Sequence, residues 1–310
     1  MKKALYLRSG SGDPFYNLAA EEFILEHRRD CSPVLFIWQS DGAVVIGRHQ
    51  NPWAETDAEF LDREGIVLAR RKSGGGAVYQ DRGNLNFALI TDRAAFDVSR
   101  QTDAVCRALA ACGISAETGR MSRLYLSGRK ISGSAFLLRR HRALHHGTLL
   151  VDADMNMMAS LRGVMRITDR RGVASSAEET VNIAAVHPGA SIDACAAAIR
   201  AQFEELAGCR FEAGDIGAVC SGSEFSALVE RQRSWEWRYG TTPPFDLELD
   251  EGAGRVAMHV EKGLVGSITI EPCGEVVYGG GGSVRFRAEE IHRALEGTGL
   301  RLEALDHACP

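Results

Sequence analysis

Three stretches of this chain group residues that could handle an anionic ligand. The first is Arg70-Arg71-Lys72-Ser73-Gly74-Gly75-Gly76-Ala77-Val78-Tyr79, continuing Gln80-Asp81-Arg82-Gly83-Asn84. Three successive glycines leave backbone N–H groups uncovered, and the flanking arginines offer charge-assisted hydrogen bonds to the same phosphate or carboxylate. A glycine-rich hairpin turn with basic neighbours accounts for these residues equally well. It is not a P-loop, because no Gly-Lys-Ser/Thr follows at the required spacing. The second stretch is Gly128-Arg129-Lys130-Ile131-Ser132-Gly133-Ser134-Ala135, where Lys130 sits between small residues on a strand-like segment. Lysines on strands usually face solvent, so this position alone decides little. The third is His145-His146-Gly147-Thr148-Leu149-Leu150. Adjacent histidines point to opposite faces of a strand, which disfavours a two-histidine metal pair.

The elements that must position these groups are readable from apolar runs and caps. Strand-like runs occur at residues 4–7, 34–38, 43–46, 66–69 and 85–90, most of them bounded by Gly, Asp or Asn. Asp13-Pro14 predicts a helix start, with the carboxylate as cap and proline at the first helical position, opening a helix to about residue 27. Further helices are expected over 96–112, 192–206 and 223–233. Strands and helices intersperse without a regular βαβ rhythm, so the expected class is α+β, a mixed sheet flanked by helices. Thr241-Thr242-Pro243-Pro244 marks a boundary between a large domain over 1–240 and a small α+β unit over 245–310. That unit should hold strands at 245–249, 255–260 and 264–270, the four glycines 279–282, and a helix over 288–296.

Composition narrows the partners. The 310 residues carry 36 basic and 41 acidic side chains, a net charge of −5, so a duplex-binding face is not expected and nucleic acid is excluded as a default partner. The run Arg139-Arg140-His141-Arg142 is a local exception, read as a solvated loop or a receiver for an acidic partner. No run approaches the ~20 apolar residues of a spanning helix. Eight cysteines form no CxxC pair and no zinc spacing, which reads as small core residues of a reduced, cytoplasmic protein.

RRKSGGGAVYQDRGN, GRKISGSA and HHGTLL, in this order and spacing, resemble the lipoate–protein ligase family. The runs PFYNLAAEE, FIWQSDGAVVIGRHQNPW and SSAEETVNI fit the same pattern, and Trp235-Glu236-Trp237 with Tyr239-Gly240 resembles the joint to a small C-terminal accessory domain. The resemblance implies a fold related to biotin ligases and a two-step reaction: lipoate and ATP give lipoyl-adenylate, and an acceptor lysine then takes the lipoyl group. It implies ATP with Mg²⁺, and as partners the lipoyl domains of 2-oxoacid dehydrogenase complexes or acceptors of the glycine-cleavage H-protein type. It assigns catalysis to Lys130 and nucleotide binding to Arg71, Gly74, Gly75, Gly76, Ala77, Val78, Tyr79, Asn84 and Lys130. Lipoate would be held by Leu18, Glu21, Trp38, Arg71, Ser73, Lys130 and His146. For Leu18 and Trp38, burial for packing is the competing reading.

Four places depart from the family pattern. Gln80 stands where histidine is usual, and Met121-Ser122 where an Asn-Asp pair is usual. Arg171 replaces a lysine at the start of the loop expected over the adenylate, and Ala177-Glu178-Glu179 replaces a basic stretch of that loop. These departures motivate a second reading, a transferase that uses preformed lipoyl-adenylate. A third, a non-catalytic lipoate- or lipoyl-domain-binding protein, is opposed by the presence of Lys130, Arg71 and the glycines. A thiol mechanism of the octanoyltransferase type has no candidate, since no cysteine lies between Cys31 and Cys106 or between Cys112 and Cys195. The GRGR loop of biotin ligases is absent.

Overall fold

The computed structural model describes every residue except 1, 159–160, 164, 252–253, 272, 281, 299–300 and 307–310. Gly281 of the glycine tract and Cys309 therefore lie outside the described residues. The expected α+β class is what the chain forms. A six-stranded mixed sheet runs in the order Ser134–Leu138, Arg142–Leu150, Asn84–Asp92, Cys31–Trp38, Lys3–Arg8 and Glu212–Gly214. The last two joints are parallel and the others antiparallel. The Pro14–His27 helix supplies the crossover between the parallel strands Lys3–Arg8 and Cys31–Trp38. Asp13 caps it as its type requires, its Oδ1 accepting from the Phe15 N–H at 2.9 Å, with Pro14 in the first turn.

Alternation along the strands separates two cores. Leu35 and Ile37 join Leu85, Phe87 and Leu89 beneath the helices Val98–Ala111 and Ile192–Ala207. Val34, Phe36 and Trp38 join Ala88 and Ile90 on the opposite side, against Leu18, Ala19 and Phe23 of the Pro14–His27 helix. Both faces of the sheet are thus covered. A three-stranded sheet, with Ala43–Ile46 between Val67–Arg70 and Val78–Gln80, carries the glycine stretch between its last two strands in sequence.

The C-terminal segment forms an antiparallel sheet of Phe245–Glu251, Gly254–Glu261, Leu264–Glu271 and Glu275–Tyr278, with Val284–Arg285 paired to the third. Its outer edge is covered by Ile167–Arg170, a strand drawn from within the first 240 residues. Phe245, Leu247, Met258 and Phe286 share one core with Val44, Ile46, Trp53 and Tyr79. The cysteines are not uniformly core residues: Cys31, Cys195 and Cys220 are buried, while Cys209 and Cys273 are exposed. Among the described residues no helix is long and apolar enough to cross a membrane.

Arg70 departs most from its expected role. The sequence reading set both Arg70 and Arg71 against one anion, but neighbours on a strand face opposite ways. Arg70 is fully buried and, among the described residues, bonds no carboxylate. Its guanidinium donates to the carbonyls of Gly47, Arg48, Gln50 and Arg238 at 2.6–3.3 Å, and to Thr242 Oγ1 at 3.0 Å. Burial pushes its pKa down to about 9, still protonated at neutral pH. It joins the 47–50 turn to the segment leading into the C-terminal sheet. Arg70→Ala would strand those carbonyls without donors, so a loss of about 3 kcal/mol or more is expected in denaturant unfolding. Arg70→Lys should recover only part, lacking the planar fork. An unchanged unfolding midpoint for Arg70→Ala would remove this account.

Candidate active site

The deep end of the site is organised by one carboxylate. Leu18 and Glu21 lie on one face of the Pro14–His27 helix, three residues apart. Glu21 is buried, and its Oε1 accepts from Trp38 Nε1 at 2.9 Å. Its Oε2 meets His146 Nδ1 at 2.6 Å, and His146 Nε2 meets Ser73 Oγ at 2.7 Å. Burying a carboxylate is tolerable only with such partners, and the positive charge of Arg71 adds to them. His145 takes the opposite face, between Gln101 Oε1 at 3.2 Å and Ser134 Oγ at 3.1 Å. Burial, then the neighbouring His146, lowers its pKa to about 3, so it is a neutral core group.

The glycine stretch is held from below by Arg71. Its guanidinium donates to the carbonyls of Gly74, Gly76 and Val45 at 2.7–3.1 Å. Burial lowers its pKa to about 10, against the opposing pull of Glu21. Gly75 has φ +93°, a conformation that L side chains rarely adopt. Gly47 is required by close approach, since a Cβ there would stand 2.1 Å from the Gly75 carbonyl oxygen.

Lys130 lies on the Arg129–Ser132 strand, half-buried. Burial lowers its pKa, and Glu178 opposes that shift. Glu178 Oε2 lies 3.3 Å from Lys130 Nζ, and its Oε1 is 3.0 Å from an Arg123 guanidinium nitrogen. The Tyr125 hydroxyl donates to Oε1 at 2.8 Å. Although burial raises the Glu178 pKa, Tyr125, Lys130 and Arg123 together hold it below the usual glutamate value. The sequence left open whether the two glutamates of this loop face solvent; Glu179 is exposed, whereas Glu178 turns inward.

Glu21, Trp38, His146, Arg71, Lys130 and Arg123 converge on one cavity of about 260 Å³. Of the residues expected in the site, Leu18, Glu21, Trp38, Arg71, Gly75, Gly76, Ala77, Val78, Lys130 and His146 line it. Leu18 and Trp38 are core residues as well, 5% and 2% exposed. Four expected residues are outside the lining. Ser73 is one bond away, through His146. Gly74 is exposed, and Tyr79 turns its ring into the core shared with the C-terminal sheet. Burial and Asp81 raise the Tyr79 pKa to about 12. Asn84 is fully buried and donates to Asn86 Oδ1 at 3.1 Å. Sequence reasoning missed Asn86, two residues on and on the cavity wall, a position that period-two spacing could have found. It also missed Arg123, for which no local signal exists, whereas residues 173–176, on the cavity wall, belong to the loop expected over the adenylate.

Gln80, one of the departures, is a buried wall residue whose Oε1 has no partner among the described residues. Asn86 Nδ2 is likewise unpartnered, so the polar wall is equipped to bond a ligand, and Asn84 Oδ1 behind it also has no partner among the described residues. Among the described residues no cluster of three or more His, Cys, Asp or Glu side chains could hold a metal. A magnesium ion would fit this wall only as one carried largely by phosphate oxygens.

The lipoyl protein ligase A/B catalytic domain family matches residues 13–204, and the chain belongs to that family. Solved structures agree. LipL1 of P. falciparum in complex with lipoate has 22% identity and a TM-score of 0.67, over 97% of each chain. A lipoate-protein ligase A bound with ATP has 25% identity and a TM-score of 0.63, over 78% of this chain and 100% of that one. A bi-partite lipoate protein ligase of Thermoplasma acidophilum, described with its E2 lipoyl domain, has 24% identity and a TM-score of 0.63, over 78% and 98%.

Trp38 forms a wall of the slot while its indole N–H bonds Glu21. Trp38→Val should enlarge the slot and admit bulkier carboxylic acids. The unbonded Glu21 oxygen should cost about 1–3 kcal/mol of stability. Binding assays with a graded series of acids, beside a thermal melt, check both. A folded variant with unchanged acid preference would make Trp38 a packing residue only.

Proposed function

We propose that this protein is an ATP-dependent lipoate–protein ligase. The observation that carries the reading is the convergence of Lys130, Arg71 and the glycine stretch on the cavity walled by Leu18, Trp38 and His146. The lipoyl chain lies along the apolar wall and its carboxylate reaches the cationic end. A carboxylate oxygen attacks the α-phosphorus of ATP, the bond to the β-phosphate bridging oxygen breaks, and pyrophosphate leaves. In the second step the unprotonated ε-amine of an acceptor lysine attacks the acyl carbon. The anhydride C–O bond breaks, AMP leaves, and the new amide nitrogen gives up one proton.

No covalent enzyme intermediate is required, so positioning and charge neutralisation supply the rate. Lys130 holds the carboxylate and the α-phosphate within reach of each other. The N–H groups of Gly75, Gly76 and Ala77 face the phosphates, with Gly74, Tyr79 and Asn84 shaping the loop and wall behind them. Arg71 fixes that loop and adds charge to its floor. Magnesium, when bound, would neutralise phosphate charge; the chain's own part is to orient the nucleotide. Residues 1–240 act as the catalytic unit and 245–310 as an accessory. The acceptors are lipoyl domains of 2-oxoacid dehydrogenase complexes or of the glycine-cleavage H-protein type. The compartment is the cytoplasm, where the seven free described cysteines are stable. The Glu178–Lys130 contact favours a second reading, a lipoyltransferase that uses preformed lipoyl-adenylate.

Pyrophosphate release with ATP and lipoate, and mass gain of an apo lipoyl domain, test the reading directly. Lys130→Ala should slow pyrophosphate release roughly a hundredfold or more, the scale of losing one preorganised donor. Lys130→Arg should recover part of it. Parent-rate adenylation by folded Lys130→Ala would make Lys130 a bystander.

A further inference from the structure

Residues 173–176 line the cavity, and the segment that carries them, 172–181, is tied down at both ends. At one end Ser175 Oγ accepts from the Ala77 N–H at 2.8 Å and from Gln50 Nε2 at 3.0 Å, and the Val173 N–H donates to the His49 carbonyl at 3.0 Å. At the other end the Lys130 N–H donates to the Glu179 carbonyl at 2.9 Å, and the Val181 N–H to the Lys130 carbonyl at 3.1 Å. Between these ties Glu178 sends its carboxylate inward to Lys130, Arg123 and Tyr125. The chain thus sets its own oxygens on two groups that the ligase reading assigns to the ligand, the Ala77 N–H and the Lys130 ammonium.

We propose that Glu178 is a specificity-determining residue, an internal anion that makes this site accept preformed acyl-adenylate more readily than ATP with free acid. The proposal rests on the ligase reading above. ATP and lipoate together bring a triphosphate and a carboxylate towards Lys130. Acyl-adenylate has already lost pyrophosphate, and its carboxylate is tied up as a neutral acyl group, so one phosphate charge remains. A fixed carboxylate beside Lys130 repels the first pair far more than the second. It also occupies the cation that must draw carboxylate and α-phosphate together, a task absent from the transfer step. The Met121-Ser122 pair adds nothing to offset this, since neither residue carries charge, and Arg123 is already committed to Glu178.

The test replaces charge while keeping shape. Glu178→Gln retains an acceptor for Tyr125, and Glu178→Asp retains the charge. Three quantities are measured on each full-length protein: pyrophosphate release from ATP and lipoate, lipoyl transfer from chemically supplied lipoyl-adenylate, and amine labelling of Lys130 followed by mass spectrometry. Glu178→Gln should raise the kcat/KM of pyrophosphate release about tenfold and leave transfer within about twofold, while Glu178→Asp keeps the parent ratio. Lys130 labelling should rise in Glu178→Gln, because the salt bridge protecting the ammonium is gone. If both half-reactions change by the same factor, or neither changes, Glu178 does not discriminate donors and the proposal is overturned while the ligase reading stands. If no protein uses either donor although labelling rises, the ligase reading fails and takes the specificity role with it.

Discussion

A loop built of glycines has no side chains with which to hold its shape, so something beneath it must. Here that support is a single buried guanidinium. Arg71 spends its donors on the carbonyls of Gly74, Gly76 and Val45, and this pins the carbonyl side of the loop inward. The Ala77 N–H points away from Arg71 and donates to Ser175 Oγ of the covering segment. Glu21 is the countercharge that makes a buried cation tolerable, and Glu21 also fixes Trp38 and His146. The apolar wall and the anion pocket are thus set by one buried pair of opposite charges, on which the geometry of the cavity depends.

The cavity's cations are already satisfied without ligand. Arg71 bonds carbonyls, while Lys130 and Arg123 share Glu178. Leaving buried charges unpaired would be costly, and the Glu178 carboxylate supplies a partner from within the chain. An incoming anion must exchange one set of bonds for another. Its net gain is smaller than its contact list suggests, for the same reason that protein hydrogen bonds contribute modestly after exchange with water.

Much of this was legible in the sequence, and the limits have physical causes. Asp13-Pro14, the main apolar runs and the opposed faces of His145 and His146 followed from local rules, because capping and alternation are local. The clustering of Lys130 with Arg71 and His146 came from several motifs in register, not from any one of them. Arg70 was misread because adjacent basic residues look alike in a string, whereas strand pleating sends them to opposite faces. Glu178 was recognised as a departure, but its direction depended on pairing between residues 179–181 and the Lys130 strand, about fifty positions away. Arg123 left no trace for the same reason. The edge strand Ile167–Arg170 was invisible too, since short strands borrow their order from a partner.

That edge strand links the two halves of the chain mechanically. The segment over the cavity begins just after Arg170, in a sheet otherwise built from residues beyond 244, and ends on the Lys130 strand. Its start is therefore fixed by the C-terminal sheet and its end by the candidate catalytic residue. Arg70 makes a second link, joining the strand that leads to Arg71 with the Arg238 and Thr242 segment. With both links in place, a shift of the C-terminal sheet would move the covering segment and strain the base of the glycine loop together. An accessory unit attached only through a flexible linker could not do this. Here the coupling follows from the pairing of Ile167–Arg170 with the C-terminal sheet and from the hydrogen bonds of Arg70.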